Sequence, residues 1–500
     1  KYVCGGEVDD PVVIDRAVDL LDKAINRLRH WRIWDSWWIE GCGDEWLKIR
    51  NNIEMQLRGK YGNEVINDAL KVIDGFIDYI GRFEEHWIKN DVGIEVRKIV
   101  DDLVNGRAEV VIWEGMSGFS VYGRSILLNV SGTDEDGVVL HLVLEDLKGV
   151  TIEVPNIFVG AMSKDEYEKF IRELLTPLKA GLAETDESVD NGKPVMGTSQ
   201  PWQMVIWSLM HYGRIHIRIH AINVNKYDVA VSWHLRSIDH KSLKGFLKDT
   251  EKLSKLSKET LLALTFFAVL GDGSAFITNN MANGRVYAKP VVVIVMSSKK
   301  FKMWGPILSR LKSTGFTWYP DSRADGNTVN VTFSNSHAID LAREIINVLP
   351  LILRDVLDSL AFKKWLDLKK ITEFEPKFRK GNMQIVIAGY AFTVSVREGT
   401  VELRHNAKSE VEVKEVNEML KKVYGDEFVS QIYVYVNKGG KYLTVTIPMR
   451  LVKRYDDIRR MVIEKLCQKL ERTKGERKRR IIIKHIRRLA PTEGAAAACP

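Results

Sequence analysis

Cysteine is scarce in this 500-residue chain: Cys4, Cys42, Cys467 and Cys499 lie far apart. Scattered cysteines without paired spacing support neither a disulfide framework nor a zinc site, and an intracellular, cytoplasmic location is the expectation. Glutamine is scarcer for the length, with six residues beside abundant Lys, Arg, Glu, Val and Ile. That bias resembles a thermophile's. No apolar run approaches the length needed to cross a bilayer, so no membrane is expected as a partner.

What is present describes a globular protein, 45% hydrophobic and 28% charged, long enough for about three domains. The net charge is +8, with a pI near 9.0. Residues 471–488 hold nine Lys or Arg against two Glu, among them Arg477, Lys478, Arg479 and Arg480. Such a segment suits a polyanion or stands as a solvated terminal helix.

Residues 8–104 read as helical, with Val13, Ala17, Leu20, Leu21, Ala24, Ile25 and Leu28 at helical spacing. A stretch rich in tryptophan follows, and Trp34, Trp37 and Trp38 are expected to pack between helices rather than to stack bases. Residues 107–160 switch to strands separated by Gly and Asp turns. A helix at 163–182, a loop of small and polar residues at 184–199, a helix at 200–212 and two strands around a turn at 225–228 come next. In the first of these strands Arg214, His216, Arg218 and His220 alternate strictly with Ile215, Ile217 and Ile219. The polar face suits phosphates through Arg214 and Arg218; a metal held by His216, His220 and His234 is the weaker reading, since no carboxylate or cysteine interleaves them.

Residues 257–274 organise the rest. SKETLLALTFFAVLGDGS has a helix-start signal, almost wholly apolar positions, and then Gly271-Asp272-Gly273. A helix with no polar face must be buried on all sides, yet this one ends on a carboxylate. Gly-Asp-Gly is also ordinary turn chemistry. After it the order is strand, strand, helix, strand, strand, helix to residue 349, and a second segment from 351 to 471 repeats that order, which suggests a pseudo-twofold pair. The strands are one-sided. Thr328, Asn330, Thr332 and Ser334 alternate with Val329, Val331 and Phe333; Thr393, Ser395 and Arg397, then Arg404 and Asn406, then Tyr442, Thr444 and Thr446 behave likewise. Hydrogen-bonding side chains on one sheet face suit the base edges of a DNA major groove, although any half-exposed sheet alternates.

The hydrophobic helix ending in LGDG, followed by ββαββα, resembles the LAGLIDADG homing-endonuclease group over residues 255–470. The resemblance implies two such helices side by side, an acid at each tip binding divalent metal over scissile phosphates, and saddle-shaped sheets reading DNA. It puts the essential carboxylate on Asp272, with Gly271 beside it at the metal, and Mg2+ as the cofactor if the chain is catalytic. The segment 196–245 is also similar to archaeal PaREP-type paralogous-repeat proteins, a family that suggests no settled activity. Two departures from the LAGLIDADG pattern matter. The helix at 351–370 lacks a Gly-Asp-Gly end, leaving Asp367 as its nearest acid, and Phe267 stands where a small residue would let the helices approach.

The expected fold is therefore α+β: a helical region (1–106), a mixed region (107–250), two αββαββ units (251–350 and 351–472) and a basic tail (473–500). The expected function is nucleic-acid binding, DNA before RNA, with catalysis degenerate or lost. The alternatives are an active Mg-dependent endonuclease or nickase using Asp272, and a protein-interaction scaffold. A monomer with pseudo-twofold symmetry or a homodimer would serve.

Overall fold

The computed structural model is α+β, as the alternation of segments anticipates. It describes residues 10–35, 37–113, 117–132, 138–282, 285–322, 327–375, 383–407, 409–436, 443–473 and 475–490. The chain divides into two compact units, one of residues 1–246, 262–272 and 346–366, the other of 247–261, 273–345 and 367–500.

The first unit opens with α1 (Pro11–Trp31), α2 (Trp37–Leu57), α3 (Asn63–Lys89) and α4 (Val92–Val104). Asp10 caps α1 by accepting from the Val12 N–H, and Pro11 fills the first position, where a missing N–H costs nothing. One face of α3 is buried at helical spacing through Ile66, Leu70, Ile73, Phe76, Ile80 and Phe83. Trp38 packs between helices as expected, meeting Trp87 edge-on at 5.1 Å, and Trp46 stacks on Phe76 at 4.9 Å; the Trp37 side chain lies outside the described residues.

Strands follow: β1 (Val111–Ile112), β2 (Gly118–Tyr122), β3 (Ile126–Ser131), β4 (Val139–Leu144) and β5 (Val150–Val154). Short helices α5 (Ile157–Ala161) and α6 (Lys164–Lys169) lead through a π-helical turn, Phe170–Leu175, into α7 (Thr176–Thr185). Then come β6 (Glu187–Asp190), β7 (Lys193–Thr198), α8 (Pro201–Met210), β8 (Gly213–Val224) and β9 (Val229–Ser237). All nine strands share one sheet in the order β1-β2-β3-β4-β8-β9-β7-β6, with β5 also on β8. The segment 184–199, expected as a loop, is instead the end of α7 and a hairpin. Asn191 (φ 49°) and Gly192 (φ 74°) form its two-residue turn. Positive φ at both positions is what a type I′ turn requires, and Asn-Gly is its commonest sequence.

Helix α9 (Thr250–Ser254) precedes α10 (Lys258–Leu270), whose first turn belongs to the second unit and whose remainder belongs to the first. The second unit continues with β10 (Gly273–Ala282), β11 (Arg285–Ser297), α11 (Ser298–Ser313), β12 (Tyr319–Ser322), β13 (Thr328–Ser334) and α12 (Ser336–Asn347). Helix α13 (Leu351–Leu360) and the start of α14 (Lys363–Glu373) return to the first unit. The helix expected over 351–370 is broken here because Ala361 adopts a left-handed conformation (φ 46°) that ends α13. The last elements are β14 (Gln384–Ile387), β15 (Tyr390–Val396), β16 (Val401–Ala407), α15 (Glu410–Tyr424), α16 (Asp426–Ser430), β17 (Tyr433–Val436), β18 (Leu443–Ile447), α17 (Met449–Arg454), α18 (Asp456–Arg472) and α19 (Glu476–Leu489). Residues 476–489, expected within a basic tail, form a packed helix: Ile482, His485, Ile486 and Leu489 are buried. Cys467 is disulfide-bonded.

Two sheets belong to the second unit, β10-β11-β13-β12 and β14-β15-β16-β18-β17. A strand pair, a helix and a second strand pair thus recur three times, always in the order first-second-fourth-third: β6-β7-β9-β8, β10-β11-β13-β12 and β15-β16-β18-β17. The repeat expected twice from the sequence occurs a third time upstream, at residues 187–237.

Trp233 of β9 is buried against Trp46, Phe76 and Tyr79, tying the helical region to the sheet. Trp233→Ala should cost about 3–5 kcal/mol through the cavity it leaves. The check is the denaturation midpoint of the variant, which should fall clearly below that of the native chain.

Candidate functional site

Helix α10 is buried from Leu261 to Leu270. Ser257 caps its start, its Oγ accepting from the Thr260 N–H at 3.1 Å, and the Gly271 N–H closes its end on the Phe267 carbonyl at 2.8 Å. Half-buried Asp272 follows at the tip.

Helix α7 has the same character, buried from Pro177 to Glu184. Aligned on their final acids, Leu178-Lys-Ala-Gly-Leu-Ala-Glu-Thr-Asp186 and Leu264-Thr-Phe-Phe-Ala-Val-Leu-Gly-Asp272 have equal length, and Gly181 corresponds to Phe267. The two helices touch at that level. A Cβ added to Gly181 would stand 2.5 Å from the Leu264 carbonyl oxygen and 3.3 Å from the Phe267 Cβ. Only glycine permits so close an approach of backbone to backbone. At the tips, a Cβ on Gly271 would collide with the Asp186 carboxylate. Asp186 therefore lies against the turn that carries Asp272.

This corrects the pairing expected from the sequence. The helix in close backbone contact with α10 comes from upstream, not from residues 351–370, and the small residue absent at Phe267 stands on that helix as Gly181. Asp367 lies on α14 and pairs with Lys370 at 3.2 Å. The Leu-x-x-Gly-x-x-x-x-Asp spacing of 178–186, followed by an Asn-Gly hairpin, was the available signal.

Neighbours fix the Asp186 carboxylate. Thr185 Oγ1 donates to Oδ2 at 2.6 Å, and Gln203 Nε2, from α8, donates to Oδ1 at 3.3 Å. Lys364 Nζ donates to the Gly271 carbonyl. Burial lowers the pKa of that ammonium, and the charges of Asp186 and Asp272 oppose the shift. Flanking aromatics hold the lysine in place: Phe362 stacks on Trp202 (4.2 Å, 3° between planes), and the Trp365 indole donates to Asp358 at 2.7 Å while its ring meets Phe266 edge-on.

A buried polar cluster backs α7. The Glu187 carboxylate accepts from Trp207 Nε1 at 2.8 Å and lies 3.3 Å from His211 Nε2. Burial pushes Glu187 up to about 8 and Lys179 down to about 8, and it depresses His211 so that the imidazole stays neutral. Lys179 Nζ is 3.0 Å from His240 Nδ1.

The other expected site residues scatter. Thr328, Asn330 and Thr332 share one face of β13, Thr332 opposite Val293 and Tyr319. Thr393 is exposed and Ser395 half-buried on β15, opposite Arg404 and Glu402 of β16; Asn406 is exposed. Arg404 donates to Glu402 at 2.7 Å. Thr444 and Thr446 are 3% and 0% exposed, buried opposite the larger Tyr435 and Tyr433, so neither presents a hydroxyl at the surface. Tyr442 lies outside the described residues. Arg214 is engaged by Asp239 at 2.7 Å, whereas Arg218 is exposed. Among the described residues no three His, Cys, Asp or Glu side chains are grouped to hold a metal, which overturns the reading of His216, His220 and His234 as ligands. Arg397 and Lys478 are exposed, Arg477 pairs with Glu398 and Arg480 with Glu476. Arg479 is spent on the end of α18, donating to the Leu470 and Thr473 carbonyls.

Gly181→Val should destabilise the chain by about 1–3 kcal/mol or more, because the helices must separate to admit the side chain; thermal melting would show the drop. For Glu187 the folded pKa of about 8 lies above the ordinary 4.5, so its stabilising contribution is complete below 4.5 and is lost as pH rises through 8. Denaturation of Glu187→Gln across that window should show a flatter pH dependence than the native chain.

No protein-family model matches the chain, and no curated protein matches it. Similar solved structures are the LAGLIDADG homing endonuclease I-GzeII in complex with its DNA target and the LAGLIDADG homing endonuclease I-LtrWI bound to target DNA. The first is 10% identical, with 47% of this chain and 98% of the other covered at a TM-score of 0.14. The second is 13% identical, with 48% and 99% covered at a TM-score of 0.15. Superposition at such scores is poor, and the function proposed below rests on the helix pair itself.

Proposed function

We propose that this chain binds duplex DNA and hydrolyses a phosphodiester bond at the paired tips of α7 and α10, with Asp186 and Asp272 holding a divalent cation. One observation supports the reading: the helices approach closely at Gly181, and the Asp186 carboxylate lies against Gly271, the residue before Asp272. The donors suit magnesium, which prefers hard oxygen and is held by one or two protein carboxylates while keeping waters and substrate phosphates. When bound, such a cation lowers the pKa of a water and neutralises charge on phosphate oxygens.

The chain's own residues do the positioning. Thr185 and Gln203 orient the Asp186 carboxylate, and the Gly271 carbonyl adds a third oxygen at the same turn. Lys364 brings a positive charge to the place where a phosphate would meet the acids. Half-buried Thr328 and Asn330 of β13 supply hydrogen-bonding groups for base edges, whereas Thr332 is buried. Two acids in a single chain make a homodimer unnecessary for two carboxylates.

A second reading, binding without cleavage, is favoured by Lys364 alone, because its ammonium can balance the acids without a metal. Nicking of supercoiled plasmid in magnesium or manganese tests both readings. The native chain should nick, and Asp186→Asn and Asp272→Asn should each lose at least about a hundredfold, the loss expected of electrostatic groups acting on the transition state. Salt-sensitive DNA retention without nicking would defeat the proposal, and nicking that arises only in Lys364→Met would establish the second reading.

A further inference from the structure

The third ββαββ sheet has a different balance of features from the acid-bearing helices. Residues 367–500 hold twenty-nine Lys and Arg against seventeen Asp and Glu, a net +12. The whole chain carries +8, so residues 1–366 carry −4. All the excess positive charge lies in residues 367–500, outside helices α7 and α10.

On that sheet β17 stands at an edge, and its four residues are all exposed. Tyr433 and Tyr435, 42% and 36% exposed, point to one face with their rings 6.3 Å apart and 26° from parallel. Glu402 accepts from the Tyr433 hydroxyl at 3.1 Å and from Arg404 at 2.7 Å, and the Arg404 guanidinium lies 6.0 Å from the Tyr435 ring. The Glu402 charge is thus spent on fixing an arginine and a tyrosine. The register extends the same face through Thr393 and Gln384 in one direction and Asn406 in the other. Helix α19 abuts the turn between β15 and β16. His485 Nε2 contacts the Arg397 carbonyl at 2.8 Å, and Arg488 donates to the Gly399 carbonyl at 3.2 Å. Lys478, Arg480, Lys484 and Arg487 of that helix are exposed.

We infer that this sheet is a binding site for single-stranded nucleic acid, independent of the paired acids. Tyr433 and Tyr435 stack unpaired bases, Thr393, Asn406 and Gln384 hydrogen-bond their edges, and the cations of α19 meet the backbone. Exposed aromatic rings fixed on a sheet, beside an arginine and within a strongly cationic segment, are the physical requirements for holding a single strand: every base has a face to stack, and every nucleotide a phosphate to neutralise. A duplex hides those base faces. A protein strand added to the β17 edge would use neither the aromatic face nor the charge.

The test is fluorescence anisotropy of the full chain with labelled strands of about fifteen nucleotides, a length within one site. Oligothymidine, oligouridine and a duplex are compared at low salt. The native chain should bind a single strand, and the preference between the two single strands identifies DNA or RNA as the source. Tyr433→Ala/Tyr435→Ala should weaken single-strand binding at least about tenfold and Tyr433→Phe/Tyr435→Phe should restore it, while duplex retention and plasmid nicking stay unchanged in both. Circular dichroism confirms that the variants are folded. Single-strand affinity equal in the Ala variant and the native chain, or no single-strand binding by the native chain, overturns the inference. Loss of nicking in the Asp variants leaves it standing.

Discussion

The structure turns on the contact between α7 and α10 at Gly181. Two buried helices can meet backbone to backbone only where a side chain is absent, and here one glycine serves both, receiving Phe267 from the other side. The asymmetry has a consequence at the tips. Once the helices are that close, the Asp186 carboxylate lies against Gly271, the residue before Asp272. Lys364, from a segment clamped by Phe362 and Trp365, feels the charge of both acids.

The surroundings of α7 show how such a helix is held. It has no exposed face from Pro177 to Glu184, yet it carries Lys179 and Glu184 into the core, and Glu187 follows it on β6. Each of these buried polar groups is met: Glu187 by Trp207 and His211, Glu184 by the Gly245 N–H at 2.8 Å, and Lys179 by His240. Buried polar groups so paired hold one arrangement of their helices, because any slip leaves a desolvated polar group without a partner. That rigidity sets the position of the acid one residue before Glu187.

The three ββαββ sheets share a strand order but not a chemistry. The first two follow helices that end in an acid. The third follows α14, which ends at Glu373 and contains no glycine, and its strands carry an exposed Tyr-Val-Tyr-Val edge within a strongly cationic stretch. The acids at the ends of α7 and α10 and the excess positive charge thus lie in different parts of the chain.

Much of this was legible in the sequence. The α+β class, the buried helix before Asp272, the one-sided strands of β13, β15 and β16 and the packing of Trp38 follow from periodicity and composition, which are local properties. The Asn191-Gly192 turn was also legible in principle, but the polar run around it resembles a loop when read by composition alone. What only the tertiary structure decided is partnership. The Leu-x-x-Gly-x-x-x-x-Asp spacing marks 178–186 as a second acid-ending helix, but nothing local shows that Gly181 meets Leu264 or that Asp186 meets the turn before Asp272, eighty-six residues on. Nor does any local pattern bury Thr444 and Thr446 behind tyrosines or spend Arg479 on a helix end. Such outcomes depend on which surfaces meet across long stretches of chain, and a side chain's reach is set by its neighbours in space.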